Sequence, residues 1–179
     1  MKKLTAVPFV LAALLAGCSS TPPKSPDVEA EVRSALDSRG LKDVSVTQDR
    51  EKGIVTLGGK VPTESEKAEA ASIAQSLAQG QVVANQLMVT PAGMEQDATA
   101  IHEAVDDGIE SNMKAMLIRM GSPADVSYSV KSAVVTLTGT VGSQDARSSL
   151  AKAATDVANV KQVVNELQVR AQKATTRKK

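Results

Sequence analysis

The strongest constraint on the fold is an internal repeat, in which residues 53–89 align without a gap on residues 133–169. Identical residues recur at an offset of 80 positions, and they include polar and glycine positions as well as apolar ones. Examples are Val55 and Val135, Leu57 and Leu137, Gly59 and Gly139, and Asn85 and Asn165. Convergent patterning would match hydrophobic class but would not require the same glycine and asparagine, so the repeat indicates a duplication.

Each half has the pattern of a helix, two strands, a helix and a strand. Ser25 and Pro26 are typical of a helix start, and Gly40 can end that helix. Alternating residues predict a hairpin of strands 44–48 and 54–61. Thr63-Glu64-Ser65-Glu66 is a capping box for a second helix, and Ser143 repeats its first residue.

The alternation in the second strand places Val55, Leu57, Gly59 and Val61 on one face. One buried face predicts an α+β fold of two tandem αββαβ domains, each a three-stranded sheet covered on one face by two helices. Gly59 and Gly139 fall in the buried phase, where they would allow a helix or loop to approach closely. We interpret Asn85 and Asn165 as structural amides that satisfy nearby backbone, rather than as ligand-binding groups.

The start of the chain has the layout of a secretory signal: a cationic Met1-Lys2-Lys3 and an apolar run from Leu4 to Ala16. The run is too short for a spanning helix, which needs roughly 20 residues. Its end, Leu15-Ala16-Gly17-Cys18, resembles the bacterial lipobox. The resemblance implies a signal peptide over residues 1–17, lipidation of Cys18 and a Pro/Ser-rich tether over residues 18–26. Ser19 after the cysteine implies the outer membrane.

The alternative for Cys18 is a chance cysteine behind an ordinary signal. Cys18 is the only cysteine of the chain, so without lipidation the secreted protein would carry a free thiol in an oxidising compartment. Lipidation removes that difficulty.

Composition argues against two further classes of protein. The net charge is +1 with no Trp, one Tyr and one Phe, so a basic face and stacking rings for nucleic acid are not expected. His102 is the only histidine, so no metal site, cofactor or Ser-His-Asp triad is expected. We therefore expect no enzyme, and His102 is interpreted as a packed or boundary residue.

The motif Gly-Ile-Val-Thr-Leu-x-Gly-x-Val, followed by a capped helix and Val-Val-Ala-Asn-Gln-Leu-x-Val, resembles the BON domain. The copies cover residues 27–91 and 96–170. Two copies behind a lipobox resemble the dual-BON outer-membrane lipoproteins, which implies a non-enzymatic, periplasm-facing protein that binds anionic phospholipid and supports envelope integrity. A soluble, osmotically inducible periplasmic protein shares the domain pair. The alternative is a periplasmic protein-interaction or chaperone-like module with an envelope protein partner.

The first helix of the second repeat differs most from its counterpart. Apolar residues continue at helical spacing to Met120, and Gly121-Ser122-Pro123 predicts its end after about 24 residues. Matching Ile101 to Val28 predicts an overhang, residues 112–120, without a core to fill. Its candidate phospholipid-binding residues are Met113, Lys114, Met116, Leu117, Ile118, Arg119 and Met120.

Two other roles for this overhang remain open, which are packing against the first domain and contact with another partner. The tail, residues 171–179, carries four positive charges and is predicted to be disordered, with a weak electrostatic attraction to anionic lipid.

Overall fold

The computed structural model describes residues 24–121 and 125–170. The predicted signal peptide, Cys18 and the basic tail lie outside the described residues, as does the predicted tether apart from residues 24–26. Within the described residues, no helix combines the length and the apolar character that crossing a bilayer requires.

The structure confirms two tandem αββαβ domains. Domain 1 contains α1 (Glu29–Ser38), β1 (Val44–Asp49), β2 (Ile54–Val61), α2 (Glu64–Leu77), β3 (Val82–Asn85) and β4 (Met88–Val89). Domain 2 contains α3 (Glu95–Arg119), β5 (Val126–Lys131), β6 (Val134–Val141), α4 (Gln144–Thr155), β7 (Gln162–Asn165) and β8 (Gln168–Val169).

The two sheets have the same topology. In domain 1, β1 pairs antiparallel with β2, and β3 and β4 both pair parallel with β2. Domain 2 repeats this arrangement around β6. The predicted third strand is therefore a single sheet position occupied by two short strands, because the chain leaves the ladder between Asn85 and Met88.

The start of α1 differs from the prediction. The helix begins at Glu29 with Val28 as its N-cap, so Ser25 is not the cap. Instead, the Ser25 N–H donates to the Arg50 carbonyl at 2.8 Å, which holds this residue on the β1–β2 turn. Gln48 of β1 supplies the missing acceptor, since its Oε1 lies 3.1 Å from the Val28 nitrogen.

The predicted caps of the second helices are confirmed. Thr63 Oγ1 accepts from the Glu66 N–H at 3.2 Å, and Glu66 Oε2 accepts from the Thr63 N–H at 3.2 Å. In domain 2, Ser143 Oγ accepts from the Ala146 N–H at 3.1 Å. Both helices therefore begin where the local sequence satisfies their free N–H groups.

Each domain has its own core between its sheet and its helices. In domain 1, Val55, Leu57 and Val61 of β2 face this core, as the alternation predicts. Ile54 belongs to the opposite face of the sheet, yet it is also buried. Part of the second face is therefore also covered, whereas the strand pattern predicted a single buried face.

The cover on this second face is the other domain. Ile54 and Ala84 form a small cluster with Val134 and Val164, their equivalents at the offset of 80 positions. Equivalent residues meet, as expected for two related domains packed about an approximate two-fold axis.

Gln162 completes this interface, and the equivalent position of domain 1 carries no amide. Its Nε2 donates to the Val83 carbonyl at 2.6 Å, and its Oε1 accepts from the Asn85 N–H at 3.0 Å. The amide thus pairs with main-chain groups of β3. The residue equivalent to Gln162 is Val82, which is exposed and has no amide to offer β7.

Two interdomain ion pairs show how the domains are oriented. Lys52 Nζ, in the β1–β2 turn, lies 2.6 Å from Glu166 Oε2, between β7 and β8. Lys161 Nζ, beside the β5–β6 turn, lies 3.6 Å from Glu64 Oε1, at the start of α2. The turn of each domain therefore lies beside the opposite end of the other domain.

Gly59 and Gly139 have φ angles of +105° and +114°, in the region that favours glycine. A Cβ atom at either position would collide with a main-chain carbonyl oxygen, that of Asp43 or of Asp125. The close approach is therefore made by the backbone that precedes the neighbouring strand. Both glycines are exposed, so the prediction that they fall in the buried phase is wrong, because the positive φ interrupts the alternation of each strand.

Candidate functional site

Helix α3 builds the core of domain 2 with its C-terminal half. Ile109 and Met113 are fully buried, and Met116 and Leu117 are buried beside them against the sheet. The prediction that residues 112–120 have no core to fill is therefore wrong. Methionine suits this position because its flexible side chain fills irregular space.

The first helices of the two domains align in a different register from the predicted match of Ile101 to Val28. The core positions Val28, Val32 and Leu36 correspond to Ile109, Met113 and Leu117, at an offset of 81 positions. Ile101 is 63% exposed and belongs to neither core. The additional turns of α3 thus precede its core residues instead of following them.

These additional turns contact domain 1. Ala98 is buried, and Thr99 Oγ1 lies 3.9 Å from the sulfur of Met88. His102 Nε2 lies 3.2 Å from the Val89 carbonyl oxygen, so the histidine is a half-buried boundary residue. Within α3, the contacts with domain 1 are therefore made by the N-terminal half of the helix and not by Met113 or Met116.

Four of the seven candidate residues remain at the surface. Lys114, Ile118, Arg119 and Met120 are exposed, and we call them the α3 tip. Ile118 is 61% exposed and Met120 40%, although both side chains are large and apolar. No ion pair involves Lys114 or Arg119 among the described residues. Two cations thus flank two exposed apolar groups.

A shallow groove of about 400 Å³ lies beside the α3 tip, between α3 and the end of α4. Its lining includes the apolar residues Ala115, Ala153 and Val157 and the charged residues Arg119 and Asp156.

The charges of α3 are segregated along its length. Its first 16 residues carry six carboxylates and no Lys or Arg, whereas the remainder carries two cations and no acid. The six are Glu95, Asp97, Glu103, Asp106, Asp107 and Glu110. Asp106 has a structural role, because its carboxylate accepts from the Ser132 and Ala133 N–H groups at 2.8 Å each. The other five are exposed.

Asn85 and Asn165 make the same two contacts. Asn85 Oδ1 accepts from the Leu87 N–H at 3.2 Å, and its Nδ2 lies 3.4 Å from the Lys67 carbonyl. Asn165 bonds in the same way to Leu167, at 3.1 Å, and to Arg147, at 3.4 Å. Both amides thus bridge the break in the third strand and tie it to a helix, which agrees with a structural role.

Each domain has one cation next to its amide, and neither cation was singled out from the sequence. Lys67 is buried, and its Nζ donates to the Leu87 carbonyl at 2.6 Å. Burial lowers the pKa of Lys67, and the nearby positive charge of Lys161 lowers it further. Arg147, its equivalent, donates to the Asn165 carbonyl at 3.3 Å. The sequence signal that could have identified these two residues is a cation at the same repeat position in both halves.

The family model for the BON domain matches residues 25–91 and 105–171. The second match begins within α3, close to its first core residue. No curated protein matches the chain.

Two similar solved structures are of CdsD, a structural protein of the type III secretion system of Chlamydia trachomatis. The first, its C-terminal domain, is 20% identical, with 80% of this chain and 66% of that chain covered and a TM-score of 0.33. The second is 19% identical, with 78% and 60% covered and a TM-score of 0.32. At these values the similarity carries no argument about function.

Proposed function

Because the chain belongs to the BON-domain family, we propose that it is a non-enzymatic, lipid-anchored protein of the outer membrane that binds anionic phospholipid through domain 2. Membrane and phospholipid association is the general property of BON domains. The proposal also includes a periplasm-facing location and a role in envelope integrity.

The observation that carries the proposal is the α3 tip. Ile118 and Met120 are exposed although they are apolar, and Lys114 and Arg119 stand beside them. Apolar groups that enter the interface and cations that reach the phosphates are the combination expected of an interfacial helix end. Each cation near an anionic membrane surface contributes about 1 kcal/mol to binding. Met113, Met116 and Leu117 contribute indirectly, by fixing the helix on the domain.

The proposed anchor assigns a separate task to the tip. One acyl chain gives only marginal membrane binding, whereas the three chains implied by the lipobox hold a protein essentially permanently. The tip is then not needed for attachment. Its contribution is selection of the lipid composition at which the protein resides.

Co-sedimentation with vesicles tests the phospholipid binding. We expect the mature chain carrying Cys18→Ser to bind phosphatidylglycerol-containing vesicles and not pure phosphatidylcholine, with binding weakened by salt. Ile118→Asp combined with Met120→Asp should abolish this binding without lowering the melting temperature, since both side chains are exposed. The matched control is Ile101→Asp, an equally exposed isoleucine of the same helix.

The rival is a protein-interaction or chaperone-like module. Met94 and Ile101 favour it, because both are exposed apolar residues at the other end of α3. If the Cys18→Ser chain sediments with neither type of vesicle, phospholipid binding is refuted and the protein-interaction module becomes the favoured function. Equal losses from Ile118→Asp/Met120→Asp and from Ile101→Asp would show that the α3 tip is not the binding site.

A further inference from the structure

The position at which the chain enters domain 1 is defined by hydrogen bonds. The Ser25 N–H donates to the Arg50 carbonyl at 2.8 Å, and Arg50 Nε donates back to the Ser25 carbonyl at 2.9 Å. Cys18 precedes Ser25 by seven residues. A chain of that length spans at most about 25 Å, so the proposed anchor must attach near the β1–β2 turn.

This turn lies beside one end of domain 2. Lys52 of the turn contacts Glu166 at 2.6 Å. Four residues later, the Arg170 N–H donates to the carbonyl of Val141, the last residue of β6, at 2.9 Å. Arg170, the last described residue, therefore lies at the same end of the molecule as the turn that holds Ser25.

Helix α3 also ends there. Asp125 follows Gly121 by four residues, and its carbonyl accepts from the Thr140 N–H at 2.9 Å, near the end of β6. Its carboxylate forms an ion pair with Arg170. We call this end of the molecule, which carries Ser25, the α3 tip and Arg170, the anchor end.

The N-terminal half of α3 lies at the opposite end. Asp106 caps the β5–β6 turn, and His102 and Thr99 contact β4 of domain 1. A helix of 25 residues is about 37 Å long. The acidic half of α3 is therefore held away from the anchor end, and the half with Lys114 and Arg119 extends toward it.

We propose that the molecule docks on an anionic membrane by its anchor end, with α3 steeply inclined to the bilayer. The acyl chains on Cys18 and the α3 tip would then contact one surface together. The exposed carboxylates of α3 are repelled by that surface and oppose a flat orientation. This inference rests on the proposed lipid anchor and on the proposed phospholipid binding.

The docking arrangement also explains why the C-terminal end of α1 is polar. At the offset of 81 positions, Asp37 and Arg39 of domain 1 stand where Ile118 and Met120 stand in domain 2. The end of α1 leads into β1, whose first residue, Val44, pairs with Gly59 near the end of β2. That end of domain 1 is the one away from the anchor end, so it faces the aqueous phase.

Site-directed spin labelling of the lipid-anchored chain tests the orientation. Cys18 is the only cysteine and is acylated in the proposed protein, so an introduced cysteine is the single free thiol. Labels are placed by Met120→Cys at the α3 tip, by Arg39→Cys at the equivalent position of domain 1, and by Ile101→Cys in the acidic half. The vesicles contain phosphatidylcholine with phosphatidylglycerol, and melting temperatures verify folding of each labelled chain.

We expect the label at position 120 to collide with membrane-dissolved oxygen and to be protected from an aqueous nickel chelate. Labels at positions 39 and 101 should show the reverse. An aqueous label at position 120, or equal membrane contact at positions 39 and 120, would overturn the docking arrangement. Sedimentation of the Cys18→Ser chain is scored separately, so loss of phospholipid binding is distinguished from a wrong orientation.

Discussion

The first helices of the two domains show what the duplication kept and what it changed. Helix α1 has 10 residues and α3 has 25, yet both place three apolar residues at equivalent core positions. The differences lie outside these positions. Additional turns at the start of α3 contact domain 1, and two apolar residues at its end replace Asp37 and Arg39. The core constrains only the turns that carry these three residues, whereas the rest of the helix was free to acquire new contacts.

The largest expected effect comes from the equivalent core residues Leu36 and Leu117. Replacing either by alanine should lower the free energy of unfolding by about 2–5 kcal/mol, with Leu36→Ala the more severe because Leu36 is fully buried. Urea unfolding measures the effect. Ile118→Ala, adjacent in the chain but exposed, is the control and should remain within about 0.5 kcal/mol. Unchanged stability of Leu117→Ala would restore the idea of an overhang without a core.

A smaller effect is expected at the interface, where Gln162 and Val82 occupy equivalent positions. Gln162→Ala leaves the Asn85 N–H and the Val83 carbonyl without their partner and should cost about 1–3 kcal/mol. Val82→Gln tests the symmetry, because its amide could pair with β7 as Gln162 pairs with β3, with a gain of up to about 1 kcal/mol.

Both interface variants are measured by urea unfolding, with Val82→Ala as the control for the loss of an exposed apolar side chain. A cost from Gln162→Ala no larger than that from Val82→Ala would show that Gln162 does not hold the domains together.

The smallest effect concerns Lys67 and Arg147. Burial lowers the pKa of Lys67 from 10.5, so the unfolded chain binds this proton more tightly than the folded chain. Stability should therefore rise as the pH increases from the folded pKa toward 10.5. Lys67→Met should remove this contribution, whereas Arg147→Met should not, because arginine stays protonated throughout. Urea midpoints over this alkaline range measure the slope, and an identical slope in Lys67→Met would contradict the assignment.

Local features of the sequence predicted most elements because the determining contacts are local. Thr63 and Glu66 cap α2 from within one turn, and the alternation in β2 follows from the geometry of a strand. The cap of α1 was mispredicted because its acceptor, Gln48, lies 20 residues away in β1.

The sequence by itself determined the duplication, the order of elements and the two amides that bridge the strand breaks, since each depends on neighbours in the chain or on identity between the repeats. Only the tertiary structure decided which part of α3 is core. A helical stripe runs through Ile101, Val105 and Ile109 without interruption, and helical spacing cannot show where along that stripe the sheet begins. The same holds for Ile54, whose burial depends on a second domain and not on its own strand.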